Sequence, residues 1–414
     1  MSLLTKFGSF AAATTTGAHS VTGVGFQPKL LFWWGNGRTT DGHNAYTTSG
    51  TPNTDQPWSF GICAVSGASS DQACVASEED FTAGGPLYTG DGYHVKSAGT
   101  THGIRFDGTP GTGVTLDSDG FTPNYLDALN ASVINYMALG GTSLQTKILG
   151  AFDISGFATG NHSFTGMGFQ PDAVILWGGT VNSAGIGFVS STTSRFSMSN
   201  GFLTNAAEYF RSDKAFVCMY HETKDYEADI VSFDADGCTI NFSTINGAAS
   251  GNPMNFVVLG LKGVNMKAGT FTEPATTGNH GVTGVGFQPT ALLLNSLMYP
   301  ASTVPQNQTA ISGGGASWAA GGTDGTNQGA IAYRSWTDGC TYLSRTKCYG
   351  SMNDTGTVTA EAAITSFDSD GFTLNWSSVS GNSDVHGYFA FAPVGGTPKS
   401  LIARNRLRPS GWQF

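Results

Sequence analysis

Three stretches of unbroken apolar residues stand out in an otherwise polar, glycine-rich chain. They run from Leu30 to Trp34, from Ala173 to Trp177 and from Ala291 to Leu294. A run of this length without polar alternation predicts a strand buried on both faces. Each follows a proline, Pro28, Pro171 or Pro289, which has no N–H to donate and suits the start of a strand. Elsewhere the apolar positions alternate with period two. Ala228 to Phe233 and Cys238 to Phe242 flank one Asp-x-Asp-Gly, and Ala362 to Phe367 and Phe372 to Trp376 flank another. Alternation on both sides of Asp-Gly predicts a β-hairpin. No window holds a sustained 3.6-residue apolar period, so long helices are not expected.

The pattern is written three times. Thr16 to Pro28 returns almost unchanged as Thr159 to Pro171 and as Thr277 to Pro289, each carrying His, then Gly-Phe-Gln-Pro. A second marker, Leu116 to Thr122, returns as Phe233 to Thr239 and Phe367 to Thr373. A closing marker begins at Tyr136, Phe256 and Tyr388. Markers in constant order mean one folding unit in three copies. The expected architecture is all-β: three tandem antiparallel β-sandwich repeats, jelly-roll-like, over residues 1–145, 146–265 and 266–396. Short linkers are expected near 142–149 and 263–269, and a basic arm at 397–414.

Composition agrees with short strands and tight turns. Gly is 58 of 414 residues, about twice ordinary usage, and charged residues are 12%, about half of it. The formal charge is −10. Lys399, Arg404, Arg406 and Arg408 lie in the arm, which leaves 15 basic against 29 acidic residues, −14, in the body. Such a body does not suit nucleic acid. The arm, ending in Trp412 and Phe414, is either a solvated terminus or a docking element for an acidic partner, including other copies of this protein. The N-terminus has no secretory pattern, and no stretch of about 20 apolar residues predicts a membrane span. Synthesis in a cytoplasm and reduced thiols follow as expectations for Cys63, Cys74, Cys218, Cys238, Cys340 and Cys348, although Cys63 and Cys74 could face each other across a hairpin.

Candidate chemistry is sparse. The paired aspartates Asp117/Asp119, Asp234/Asp236 and Asp368/Asp370 offer too few oxygens for calcium and read as turn residues. The recurrent His19, His162 and His280 could converge on a metal about a pseudo-threefold axis, but a backbone-bonded turn histidine is the simpler reading. Acidic groups at Glu78, Glu79 and Asp80, and at Glu208, Glu222, Glu227 and Asp229, occur in one copy each and form no acid–base–nucleophile pattern. No phosphate-binding glycine loop precedes a helix. Neither a catalytic residue nor a cofactor is expected. Tyr88, Tyr93, Trp318, Tyr333 and Trp336 lie in the unequal middles of the copies; packing in the core or at a subunit interface is the first reading, with glycan stacking as the alternative.

Thr-Gly-x-Gly-Phe-Gln-Pro before an apolar strand, followed by Ser-Phe-Asp-Ser-Asp-Gly-Phe-Thr and Tyr-x-Ala-x-Gly, resembles a β-rich repeat of tailed-phage virion structural proteins. The likeness spans about residues 5 to 396, and the first copy departs most, with Leu116 for Phe and Pro123 after the threonine. The resemblance implies a non-enzymatic particle-surface protein, a capsid decoration or tail-associated component, with other virion proteins and its own copies as partners. It implies location on the virion after synthesis in the host bacterial cytoplasm. A glycan- or receptor-binding tail fibre is the alternative reading; a glycan hydrolase ranks below it.

Overall fold

The computed structural model describes residues 2–45, 58–66, 69–77, 87–88, 91–96, 102–128, 131–180, 183–201, 208–220, 223–246, 254–298, 316–335, 340–353 and 355–395. Among the described residues there is no helix; the chain is all-β and its sheets are antiparallel. Each copy supplies two of them.

The large sheets share one plan. In the first copy the order is Leu4–Ala11, Val133–Gly140, Pro28–Gly35, Trp58–Ser66, Ser69–Ser77, Leu87–Tyr88. The closing strand is therefore inserted between the opening strand and the apolar strand. The second copy repeats this as Gln145–Asp153, Asn255–Lys262, Ala173–Thr180, Ser183–Ser191, Ser194–Gly201, Glu208–Arg211. The third reads Val264–Thr272, Val385–Pro393, Ala291–Ser296, Ala316–Thr323, Gln328–Ser335, Cys340–Ser344. A smaller sheet packs on each. In the third copy it consists of Gly278–Thr283, Gly371–Ser378, Val358–Asp368 and Tyr349–Met352.

Each apolar strand feeds two cores. Leu31 and Trp33 face the small sheet of their copy, against Phe106, Phe121 and Tyr125. Leu30, Phe32 and Trp34 face the other way, into a cluster that also holds Ile175, Trp177 and Phe188 from the second copy and Leu293, Phe389 and Phe391 from the third. The unbroken apolar run thus reflects a strand between two hydrophobic layers, which a free-standing sandwich does not provide. One shared core lies between the three large sheets, and the three sandwich cores lie around it.

The contacts close into a ring. The opening strand Gln145–Asp153 rests on the first copy's hairpin strand Trp58–Ser66, and Val264–Thr272 rests on Ser183–Ser191 and Ser194–Gly201 of the second copy. The opening strand of the first copy, Leu4–Ala11, rests on Gln328–Ser335 of the third. Hydrogen bonds mark each junction: Thr146 Oγ1 to Val65 O at 3.1 Å, Ala268 N to Ser190 Oγ at 2.9 Å and Phe7 N to Asp324 Oδ2 at 2.9 Å. Gly42–Ala45 of the first copy also pairs with Cys340–Ser344, extending the third copy's large sheet by one strand.

Two expectations change. The segments near 142–149 and 263–269 are not linkers; they enter the opening strands, and Gly263 alone separates Asn255–Lys262 from Val264–Thr272. The closing marker is also displaced by two residues in the second copy. Phe32 pairs with Met137 and Leu293 with Phe389, but Ile175 pairs with Leu259, which the marker had matched to Leu139. A two-residue shift keeps every side chain on its face.

Candidate functional site

The first two sequence markers meet in space and form one clip per copy. Asp119 accepts hydrogen bonds from the backbone N–H of Gly23 and Gly25, at 3.2 and 2.6 Å. Asp236 does the same for Gly166 and Gly168, at 3.1 and 2.5 Å, and Asp370 for Gly284 and Gly286, at 3.1 and 2.6 Å. Gln27, Gln170 and Gln288 each donate to a backbone carbonyl just before the aspartate pair, at Leu116, Phe233 and Phe367. The glycines are needed because these loops take positive φ, +87° at Gly25 and at Gly286, where a side chain is strained.

The other aspartate of each pair closes the hairpin. Asp117, Asp234 and Asp368 accept from the hydroxyls of Thr122, Thr239 and Thr373, at 2.6 to 2.7 Å. The carboxylates thus serve turn chemistry, the reading preferred from the sequence. Asp236→Ala is expected to cost about 1–2 kcal/mol, since two charge-assisted bonds go while the freed amides can reach water. Urea denaturation measures this, and added calcium should leave the wild-type midpoint unmoved.

The recurrent histidines stay within their own copies. His19 Nε2 lies 3.2 Å from Thr15 Oγ1, His162 Nε2 lies 2.7 Å from Ala158 O, and His280 Nε2 lies 3.5 Å from Thr276 Oγ1. Each imidazole braces the turn four residues before it. Among the described residues no group of three or more potential metal ligands is gathered.

Three of the aromatic candidates lie in the core, the first of the two readings. Tyr93, Trp318 and Tyr333 are at most 1% exposed and offer no stacking face to solvent. Trp318 stacks on Trp58 at 4.3 Å in the shared core, and Tyr93 packs on Phe106 at 5.1 Å. Glycine-rich surroundings suggested exposure, but here the glycines let strands and rings approach closely: a Cβ at Gly35 would lie 2.2 Å from the Tyr93 hydroxyl. Tyr88 lies in a described strand without a described side chain, and Trp336 lies outside the described residues. So do Arg404, Arg406, Arg408, Trp412 and Phe414 of the arm, and Glu78, Glu79, Asp80 and Glu222.

The remaining acids and thiols serve packing. Glu227 bonds Arg211 and Lys214, at 3.1 and 3.2 Å, and Asp229 bonds Arg195 at 2.6 Å. Glu208 is buried. All six cysteines are free and buried. Cys63 stands opposite Gln72 and Cys74 opposite Gly61, so the two do not face each other. Burial pushes the Cys63 thiol up to about 12.

The third copy contains what the sequence reading missed. Glu273 and His386, 2% and 1% exposed, lie 3.6 Å apart. His386 Nδ1 is 2.9 Å from Ser296 Oγ, and Ser380 N donates to Glu273 at 2.5 Å. Burial alone would raise the Glu273 pKa, but the neighbouring His386 imidazole and the hydrogen bond from Ser380 outweigh it and hold the carboxyl low. The corresponding positions follow from the backbone bonds Glu273 N to Asp384 O, Ile154 N to Met254 O and Ala12 N to Ser132 O. With the register, they pair Glu273/His386 with Ile154/Phe256 and Ala12/Ile134. Aligning the copies would have exposed this polar pair in an apolar slot.

Restoring the apolar pair tests its cost. Glu273→Ala should destabilise by about 3–5 kcal/mol because it strands a buried partner, whereas Glu273→Ile with His386→Phe should be neutral or stabilising by about 1–4 kcal/mol. Thermal melts across pH check both. A depressed carboxyl pKa gives stability that is present above the ordinary carboxylate range and lost as pH falls through it, and the double variant should lose that acid sensitivity.

Above this pair lies a cleft of about 280 Å³, between Val264–Thr272 and Gly278–Thr283. Phe271 and Trp376 line it and also lie against the His386 ring, at 5.2 and 5.7 Å. His280 and three threonines complete much of its wall.

No protein-family model matches the chain, and no curated protein matches it.

Proposed function

We propose that this chain is a non-enzymatic structural protein of a tailed-phage particle, displayed on its surface as a capsid decoration or tail-associated component. In this reading residues 1–145, 146–265 and 266–396 are three jelly-roll-like β-sandwich units acting as a single-chain trimer. The arm at 397–414 docks on an acidic neighbour in the particle.

The observation that carries the reading is cyclic closure. Each opening strand rests on the hairpin of the preceding copy, and the first copy completes the circle on the third. Such head-to-tail contacts close into a ring when the rotation permits, and a ring with three similar faces suits three symmetry-related neighbours. The spending of repeated carboxylates and imidazoles on local bonds supports scaffold over catalysis. The likeness of the repeat motifs to phage structural repeats supplies the placement. Antibody–gold labelling of purified particles is the test: label on the head or tail surface is expected, and protein found only free in the lysate removes the proposal.

A further inference from the structure

We infer that the cleft in the third copy binds the ring of a neutral hexopyranose. The second copy indicates what fits there. The ring of Phe157 lies flat on His162, with centroids 4.3 Å apart and planes 18° apart. The chain thus fills its own site with a six-membered ring. The third copy has no counterpart of Phe157, because its turn from Glu273 to His280 is one residue shorter than that from Ile154 to His162. It also carries Val282 where the second copy has the buried Phe164. Two absent rings leave the space beside His280 open.

The wall chemistry selects the guest. Half-buried Phe271 provides aromatic surface, backed by the buried Trp376, and Thr270, Thr272 and Thr283 bring hydroxyls. No Asp, Glu, Lys or Arg lines the cleft, so nothing there compensates a charged ligand. A pyranose presents an apolar C–H face for stacking and hydroxyls for neutral hydrogen bonds, whereas a partner's aromatic side chain would leave the threonines unused. The volume suits one ring.

A second observation points to the same place. The third copy departs from the other two beneath this cleft by exchanging an apolar pair for buried Glu273 and His386. Local departures from a consistent scaffold concentrate at functional sites. The pair, with Ser296 and Ser380, fixes the His386 ring against which Phe271 and Trp376 pack, so it serves as a positioning element for the cleft floor.

The inference stands apart from particle placement, since purified protein tests it. Saturation-transfer NMR and calorimetric titration of the full chain with methyl glycosides of glucose, galactose and mannose should show at least one binding at a Kd of about 1 mM or tighter. Val282→Phe, which copies the second repeat, should weaken that binding about tenfold or more with the melting temperature kept. His280→Ala should weaken it several-fold. The inference is overturned if none of these glycosides binds the wild type, or if folded Val282→Phe binds as well as wild type. Should Val282→Phe fail to fold, His280→Ala decides, and an affinity within about twofold of wild type overturns the inference.

Discussion

Trp177→Ala is expected to destabilise the whole chain by about 3–5 kcal/mol and to move a single unfolding transition. Trp177 is fully buried in the shared core and stacks toward Phe60 of the first copy, with centroids 6.4 Å apart. The cavity left behind would face all three copies. Shared burial couples their unfolding: if one copy opened, the inner faces of the other two large sheets would meet water, with Phe32, Phe188 and Phe389 among the residues exposed. Scanning calorimetry should therefore give a calorimetric enthalpy equal to the van't Hoff value for the full chain. Three resolved transitions, with only one displaced by the substitution, would refute the coupling. Trp177→Phe should cost well under the alanine change, because the indole N–H is buried without a hydrogen-bond partner and its removal relieves an unmet polar group.

Much of this fold was legible in the chain. The apolar runs after Pro28, Pro171 and Pro289 announced strands buried on both faces, and the alternation around Asp234 and Asp368 announced hairpins. The second layer of burial was not legible. Periodicity reports that a face is covered, not whether its own small sheet or two neighbouring copies cover it. The same limit left the aromatic candidates open between core and surface. Trp318 and Tyr333 sit among Ser, Gly and Ala, yet they pair directly across a hairpin and their rings lie in the shared core.

The candidate site was hidden for a different reason. The repeats drew the eye to what they hold in common, His280 and Asp370 among it, and that shared part is scaffold. The distinguishing residues are informative only by difference: Glu273 and His386 from both other copies, and Val282 from Phe164 of the second, since the first copy also carries a valine, Val21. Glu273 and His386 lie outside the repeated markers, and Val282 sits at one of the variable positions within the first. Their significance depends on a strand register that brings Phe271 opposite His386 and leaves Glu273 one residue past Thr272, at the end of its strand.

Gly371→Ala is the second change expected to have a large effect, about 3–5 kcal/mol, at the upper end for single substitutions. Gly371 takes φ +157°, and an added Cβ would lie 1.9 Å from the Val282 carbonyl oxygen. That obstacle is backbone and cannot rotate away, so the pairing of Gly371 with Thr283 would have to part. The same contact recurs at Gly237 against Phe164 and at Gly120 against Val21, again at 1.9 Å. This glycine ends the Asp-x-Asp-Gly marker because the strand carrying the histidine crosses it at backbone contact, which brings Asp370 within reach of Gly284 and Gly286. Gly281→Ala supplies the contrast: its added Cβ would meet only Thr373 Oγ1, at 3.7 Å, and should cost no more than about 0.5 kcal/mol. Urea denaturation of the two variants side by side separates the cases. Equal costs would mean that the close strand crossing is not what holds the clip. A large cost at Gly371 alone would tie the second marker to the first through one carbonyl, and would place Val282, on the rim of the cleft, under the control of that crossing.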